Sequence, residues 1–132
     1  MRILQATLTA MLFLAGSAPG LAADVAGGWT FLIANPQEAE MRMAVQLQQA
    51  DGRLSGTIVT PAGVVPLEGT IKGSDVALWF TLPEFEPGLA ILLTLSGKLQ
   101  GESMRGAADY GSFGGGEWTA RRLTRAALAA PR

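Results

Sequence analysis

Glu84 and Glu86 flank Phe85 in a proline-bounded stretch, and two carboxylates beside an apolar group are the raw material of divided acid and base catalysis. Residues two apart in an extended loop share a side, but nothing in the pattern forces either glutamate out of water, so they read as ordinary turn residues. Ser74 with Lys72 and Ser96 with Lys98 could pair a hydroxyl nucleophile with an amine base, yet both pairs adjoin tight turns open to water. Gly114-Gly115-Gly116 lacks the following lysine and helix of a phosphate-binding loop. Cysteine and histidine are absent altogether, which removes thiol nucleophiles, Ser-His-Asp triads, disulfides and metal sites built on thiolate or imidazole. The expectation is a non-enzyme with no cofactor and no metal.

The elements that must position any binding residues begin after a leader. Arg2 supplies a positive start, Ile3 to Leu14 an apolar run, and Gly16, Ser17, Pro19 and Gly20 a break before the small residues Ala22 and Ala23. That grammar predicts a cleavable secretory signal over residues 1–23, cut after Ala22 or Ala23. The apolar run is too short for a permanent span, no later stretch reaches the roughly 20 apolar residues one needs, and no cysteine is present for a lipid anchor. The mature chain is expected to be exported, periplasmic or extracellular, without a membrane span. It reads as one domain over 24–124 followed by a short Ala/Arg tail over 125–132.

Lys and Arg number 10 against 11 Asp and Glu, and Arg2 leaves with the leader, so the mature domain is mildly acidic. Nucleic acid is not an expected partner, since it calls for a dense basic face. Arg121, Arg122, Arg125 and Arg132 gather in the last strand and tail and read as a solvated end.

After Ala23 the sequence becomes short alternating stretches punctuated by glycine. The period of two runs through Trp29-Phe31-Ile33, Met41-Met43-Val45-Leu47, Leu54-Gly56-Ile58, Val65-Leu67-Gly69-Ile71, Val76-Leu78-Phe80-Leu82, Ile91-Leu93-Leu95, Met104-Gly106-Ala108 and Trp118-Ala120-Arg122. Eight half-buried strands and no helical segment of useful length predict an all-β, antiparallel up-and-down (meander) barrel. Leu67 to Val76 and Leu95 to Met104 match in their apolar and glycine positions, each a strand, a tight glycine turn and a returning strand. Glycines inside the strands suit the sharp bends of a small closed barrel.

Gly27-Gly28-Trp29 in the first strand, with Trp118-Thr119-Ala120-Arg121-Arg122 in the last, resembles the calycin barrels: lipocalins, avidins and fatty-acid-binding proteins. The resemblance implies that Trp29 lies at the closed end with an arginine of the last strand across its ring, and alternation from Trp118 favours Arg122 over Arg121. Gly27, Trp29, Trp118 and Arg122 are thus the expected closure residues. Ala50 to Ile58 is similar to the second hairpin of avidin-type barrels. The first strand continues as Thr30-Phe31-Leu32, without the polar side chains with which avidins hold biotin, so the resemblance speaks to fold and not to ligand.

Loop lengths give the barrel a direction. The turns Asp51-Gly52, Lys72-Gly73 and Gln100-Gly101 fall at the Trp29 end, and the longer connections Asn35–Glu40, Pro61–Val64, Pro83–Gly88 and Tyr110–Gly116 collect at the other, the candidate mouth. Asn35, Phe85, Tyr110 and Phe113 are the expected mouth residues for a small apolar ligand, the three aromatics free to gate it. Phe31, Phe80, Met43, Ile91 and Leu93 either fill a barrel of this width or leave a cavity for that ligand. If Leu78 and Phe80 point inward, Trp79 points outward beside Leu92, forming a patch for a protein partner or a second copy of the chain; both faces of that strand are apolar, so the reverse register also fits the pattern. The expected function is binding: a carrier or sensor of a small apolar ligand, or alternatively an interaction module with a filled core that uses the outer face around Trp79.

Overall fold

The computed structural model describes residues 24–37 and 39–123; the leader assigned to residues 1–23 and the tail over 125–132 lie outside the described residues. Eight antiparallel strands follow one another around a closed barrel in sequence order: β1 (Gly27–Ala34), β2 (Glu40–Ala50), β3 (Arg53–Thr60), β4 (Gly63–Lys72), β5 (Asp75–Glu86), β6 (Leu89–Gln100), β7 (Ser103–Asp109) and β8 (Gly115–Arg122). The last strand closes on the first from Trp29↔Arg122 to Ile33↔Trp118. A short 3-10 turn, Gly111–Phe113, precedes β8. Among the described residues no helix is long and apolar enough to cross a membrane.

The period of two decides which side chains fill the barrel. In β2, Met43, Val45 and Leu47 are buried while Arg42, Ala44, Gln46 and Gln48 are exposed. Trp29, Phe31, Ile33, Leu78, Leu93 and Leu95 are fully buried, and Phe31 stacks on Trp118 with ring centroids 5.3 Å apart. Below the mouth the shaft is packed with side chains. Of the two outcomes open from sequence, the filled core is the one observed. Trp79 lies half-buried on the outer wall, opposite Glu68 and Thr94, and Leu92 stands exposed on the neighbouring strand, opposite Thr81.

Two expected loops are shorter than their composition suggests. Pro61–Val64 contracts to a turn at Pro61 and Ala62, and Pro83–Glu86 belongs to β5. The backbone directions explain why a proline is tolerated there. The Ser74 carbonyl accepts from Leu99 N on the β6 side, so the odd-numbered residues of β5, Pro83 among them, turn their amide positions away from β6. Pro83 removes no bond from that ladder, which continues to Glu86↔Leu89.

Gly97 and Gly106 lie directly opposite each other on β6 and β7. A Cβ on Gly106 would sit 1.8 Å from the Ser96 carbonyl oxygen, and one on Gly97 would sit 2.2 Å from that of Arg105. The strands coil so tightly here that neighbouring backbone occupies the place of a side chain. Trp118, paired with Gly106, reaches across it to donate from Nε1 to Ser96 O at 3.1 Å. The missing side chain thus admits both the bend and the indole. Gly106→Ala is expected to lower stability in urea titration by about 2–3 kcal/mol through backbone displacement; a change within about 0.5 kcal/mol would contradict the close approach.

Candidate functional site

The closed end is built around Trp29. Its Nε1 donates to Val25 O at 2.9 Å, and Val25, itself fully buried, donates its backbone N–H to Gln49 Oε1 at 2.8 Å. The Arg122 guanidinium lies 4.7 Å from the Trp29 ring centroid. From there it donates to Ala26 O at 2.8 Å and to Asp24 O at 2.6 Å, and its Nε pairs with Glu102 at 2.8 Å. Gly27 has φ +126, and a Cβ there would stand 3.4 Å from Arg122 Nη1, so a glycine suits both the turn and the cation. Arg121, one residue earlier, is exposed and has no such partners among the described residues.

At the opposite end, residues of three of the four connections, Asn35–Glu40, Pro61–Val64 and Pro83–Gly88, line a half-open cleft of ≈ 480 Å³. Leu82 and Met41 supply its apolar surface with Phe85, while Asn35, Gln37, Glu84 and Glu86 supply its polar groups. The Asn35 carboxamide oxygen caps its own turn, accepting from Gln37 N at 2.9 Å and Ala39 N at 3.1 Å. Only its NH2 is left for a ligand. Glu84 and Glu86 are both exposed, as expected for turn carboxylates.

Phe85 owes its position to a bulge. Between Leu82↔Ile91 and Glu86↔Leu89, three residues of β5 oppose one of β6, and Glu84 takes a left-handed φ of 55. Such an insertion re-aims a side chain. Here it brings Phe85 between Tyr110 and Phe113, at centroid distances of 5.7 and 5.1 Å. The three mouth aromatics therefore form one cluster, but they are not equally free. Phe113 is 42% exposed and Tyr110 only 1%. The Tyr110 hydroxyl donates to Ala34 O at 2.8 Å, tying the end of β7 to the end of β1. Through that bond Tyr110 braces the two strand ends, while Phe113 stays exposed.

The cleft opens beside a split that sequence reading did not find. β4 pairs with β3 along its length, from Thr60↔Gly63 to Arg53↔Thr70, but with β5 only from Glu68↔Trp79 to Lys72↔Asp75. Ile71 N bonds to Gly52 O on the β3 side, so the even-numbered residues of β4, including Pro66, face β5. Pro66 and Pro83 thus line the two facing edges, each lacking the donor that would extend the ladder. Two prolines inside otherwise alternating strands were the available signal.

Compared with models of known protein families and with curated protein sequences, the chain matches none. What stands on its own geometry is a closed eight-stranded antiparallel barrel with one clasped end and one open cleft. Among the described residues, no three Asp or Glu side chains gather closely enough to hold a metal ion.

Arg122→Ala is expected to cost about 1–3 kcal/mol in urea unfolding, through the lost cation–π contact and hydrogen bonds, and Arg121→Ala less than about 0.5 kcal/mol. Equal losses would contradict the closure described. Tyr110 offers a second check. Burial pushes its phenol up from 10.0 to about 12. Its neutral form is favoured by folding, so that stabilisation is complete below pH 10 and disappears as pH rises to about 12, with a loss of up to about 2–3 kcal/mol. Tyr110 is the single tyrosine of the chain, so ultraviolet phenolate absorbance reports it alone. A midpoint near the ordinary phenol value in the native protein would contradict its burial.

Proposed function

We propose that this protein is an exported calycin-type barrel that binds, without transforming, a small ligand with an apolar body at the mouth. The supporting observation is the combination of a packed shaft with a half-open cleft of ≈ 480 Å³ above it. That volume falls within the range of small-molecule sites, which are concave, mainly apolar and marked by a few polar groups. The ligand rests on Leu82, Met41 and Phe85 near the rim and does not descend into the barrel. The Asn35 NH2 and the Gln37 carboxamide orient its polar end. Phe113, exposed and in ring contact with Phe85, is the side chain with room to swing over it.

A second reading, an interaction module, draws on the outer wall: Leu92 is 59% exposed and lies diagonal to half-buried Trp79 on the adjacent strand. Apolar residues placed this way serve partner contacts or self-association.

Titration of delipidated, monodisperse protein with a fluorescent fatty acid separates the two. The carrier reading expects saturable binding whose affinity shifts by about 0.5–2 kcal/mol in Phe85→Ala or Phe113→Ala, the scale of burying part of an aromatic ring. Lys72→Ala, at the clasped end, leaves the affinity unchanged. Absence of saturable binding of any apolar probe removes the carrier and leaves the module.

A further inference from the structure

The barrel's cations are not spread evenly around its wall. Reading outward positions along the register, Asp75 lies opposite Lys98, Lys98 opposite Arg105, Arg105 opposite Thr119, Thr119 opposite Leu32, and Leu32 opposite Arg42. In the next outward row toward the clasped end, Ser103, Arg121 and Thr30 face one another across three strands. Arg42, Arg105 and Arg121 line a single groove of ≈ 510 Å³ on the outside of β2, β1, β8 and β7, with Thr30, Leu32, Ser103 and Thr119 among the residues between them. These three arginines are far apart in sequence and converge only because the barrel closes.

Among the described residues they share the lack of a partner with Arg53 and Lys72, but these three converge on one groove. Lys98 is held by Asp75 and Arg122 by Glu102, whereas Arg42, Arg105 and Arg121 have no hydrogen-bond or ion-pair partner among the described residues. Lys98 and Arg105 moreover stand directly opposite each other, a like-charge pairing that destabilises a sheet. An otherwise acidic domain thus keeps three unneutralised guanidinium groups around one groove. An anion placed among them reverses the sign of that repulsion.

We propose that this groove is a binding site for a compact phosphate-bearing molecule, held by Arg42, Arg105 and Arg121. Strands lie about 4.8 Å apart, so the backbones of Arg42 and Arg105, three strands from one another, are separated by about 14 Å. Two arginine side chains leaning inward over Leu32 and Thr119 span that distance around one or two phosphate groups. The planar guanidinium fork matches phosphate oxygens in pairs, and the hydroxyls of Thr30 and Thr119 donate to those left over, that of Ser103 donating instead to Gln100 O. Glu40 and Glu117 occupy the same wall toward the mouth, outside the groove. Their charge disfavours a long polyanion crossing that margin and selects for a small ligand. The site is separate from the mouth cleft and does not depend on the function proposed for it.

The phosphate can belong to a soluble molecule or to a lipid headgroup, and two arms of one experiment distinguish them. Calorimetric titration with pyrophosphate at low salt is the first arm; co-sedimentation with phosphatidylcholine vesicles containing phosphatidate is the second. Saturable, salt-sensitive binding is expected in at least one arm, and whichever arm binds names the source. The double variant Arg42→Gln/Arg105→Gln weakens it by about tenfold or more, the scale of losing two charge-assisted contacts. Arg53→Gln/Lys72→Gln removes the same charge at the clasped end and changes binding by less than about twofold. Because Arg105 opposes Lys98, Arg105→Gln leaves the urea midpoint unchanged or raises it, so lost binding is not lost folding. No saturable binding in either arm, or equal losses in the two double variants, overturns the proposal.

Discussion

The Arg122 guanidinium over the Trp29 ring is the contact on which the barrel's closure turns. An up-and-down sheet has two edges with unpaired backbone groups, and only the pairing of first strand with last removes them. That seam is short, from Trp29↔Arg122 to Ile33↔Trp118. Arg122 reinforces it at one end, bonding the carbonyls of Asp24 and Ala26 and reaching Glu102 beyond β7's start. Tyr110 braces the other end by bonding Ala34 O. One cation and one phenol therefore hold the first strand from above and below.

With the clasped end fixed, the opposite end is free to be irregular. The β4–β5 ladder stops at Glu68↔Trp79, and the β5 bulge lifts Phe85 out of the regular alternation. Pro66 and Pro83 lie on the two edges of the resulting split; these edges thus offer no complete row of donors and are guarded against pairing with a foreign strand. The same irregularity creates the mouth cleft. A regular barrel of this width fills with its own side chains, as this one does below Leu82, so concave surface is left only where the ladder is interrupted.

Charge is partitioned as clearly as shape. The inner surface is apolar, with Thr60 the sole polar side chain among the described buried residues, and it bonds Gly63 O at 2.7 Å within its own turn. Carboxylates stand at the mouth rim on Glu84 and Glu86, whereas Arg42, Arg105 and Arg121, without partners among the described residues, line the groove on the wall. The two concave surfaces thus differ in charge, with carboxylates at the rim of one and arginines along the other.

Strand number, order and direction were legible in the sequence because each rests on local signals: a period of two, and turn residues such as Asp51-Gly52 that set the hairpins. The placement of Arg122 followed from alternation and from resemblance to other barrels. Tyr110 and Phe113 looked alike in sequence, and only packing separated the buried strut from the exposed ring, since burial depends on what lies opposite. Arg42, Arg105 and Arg121 gave no sequence signal as a group, because their juxtaposition is set by the register of four strands and the seam between β1 and β8. Local alternation determines which side of a strand a residue occupies; closure of the barrel alone decides which residues become its neighbours.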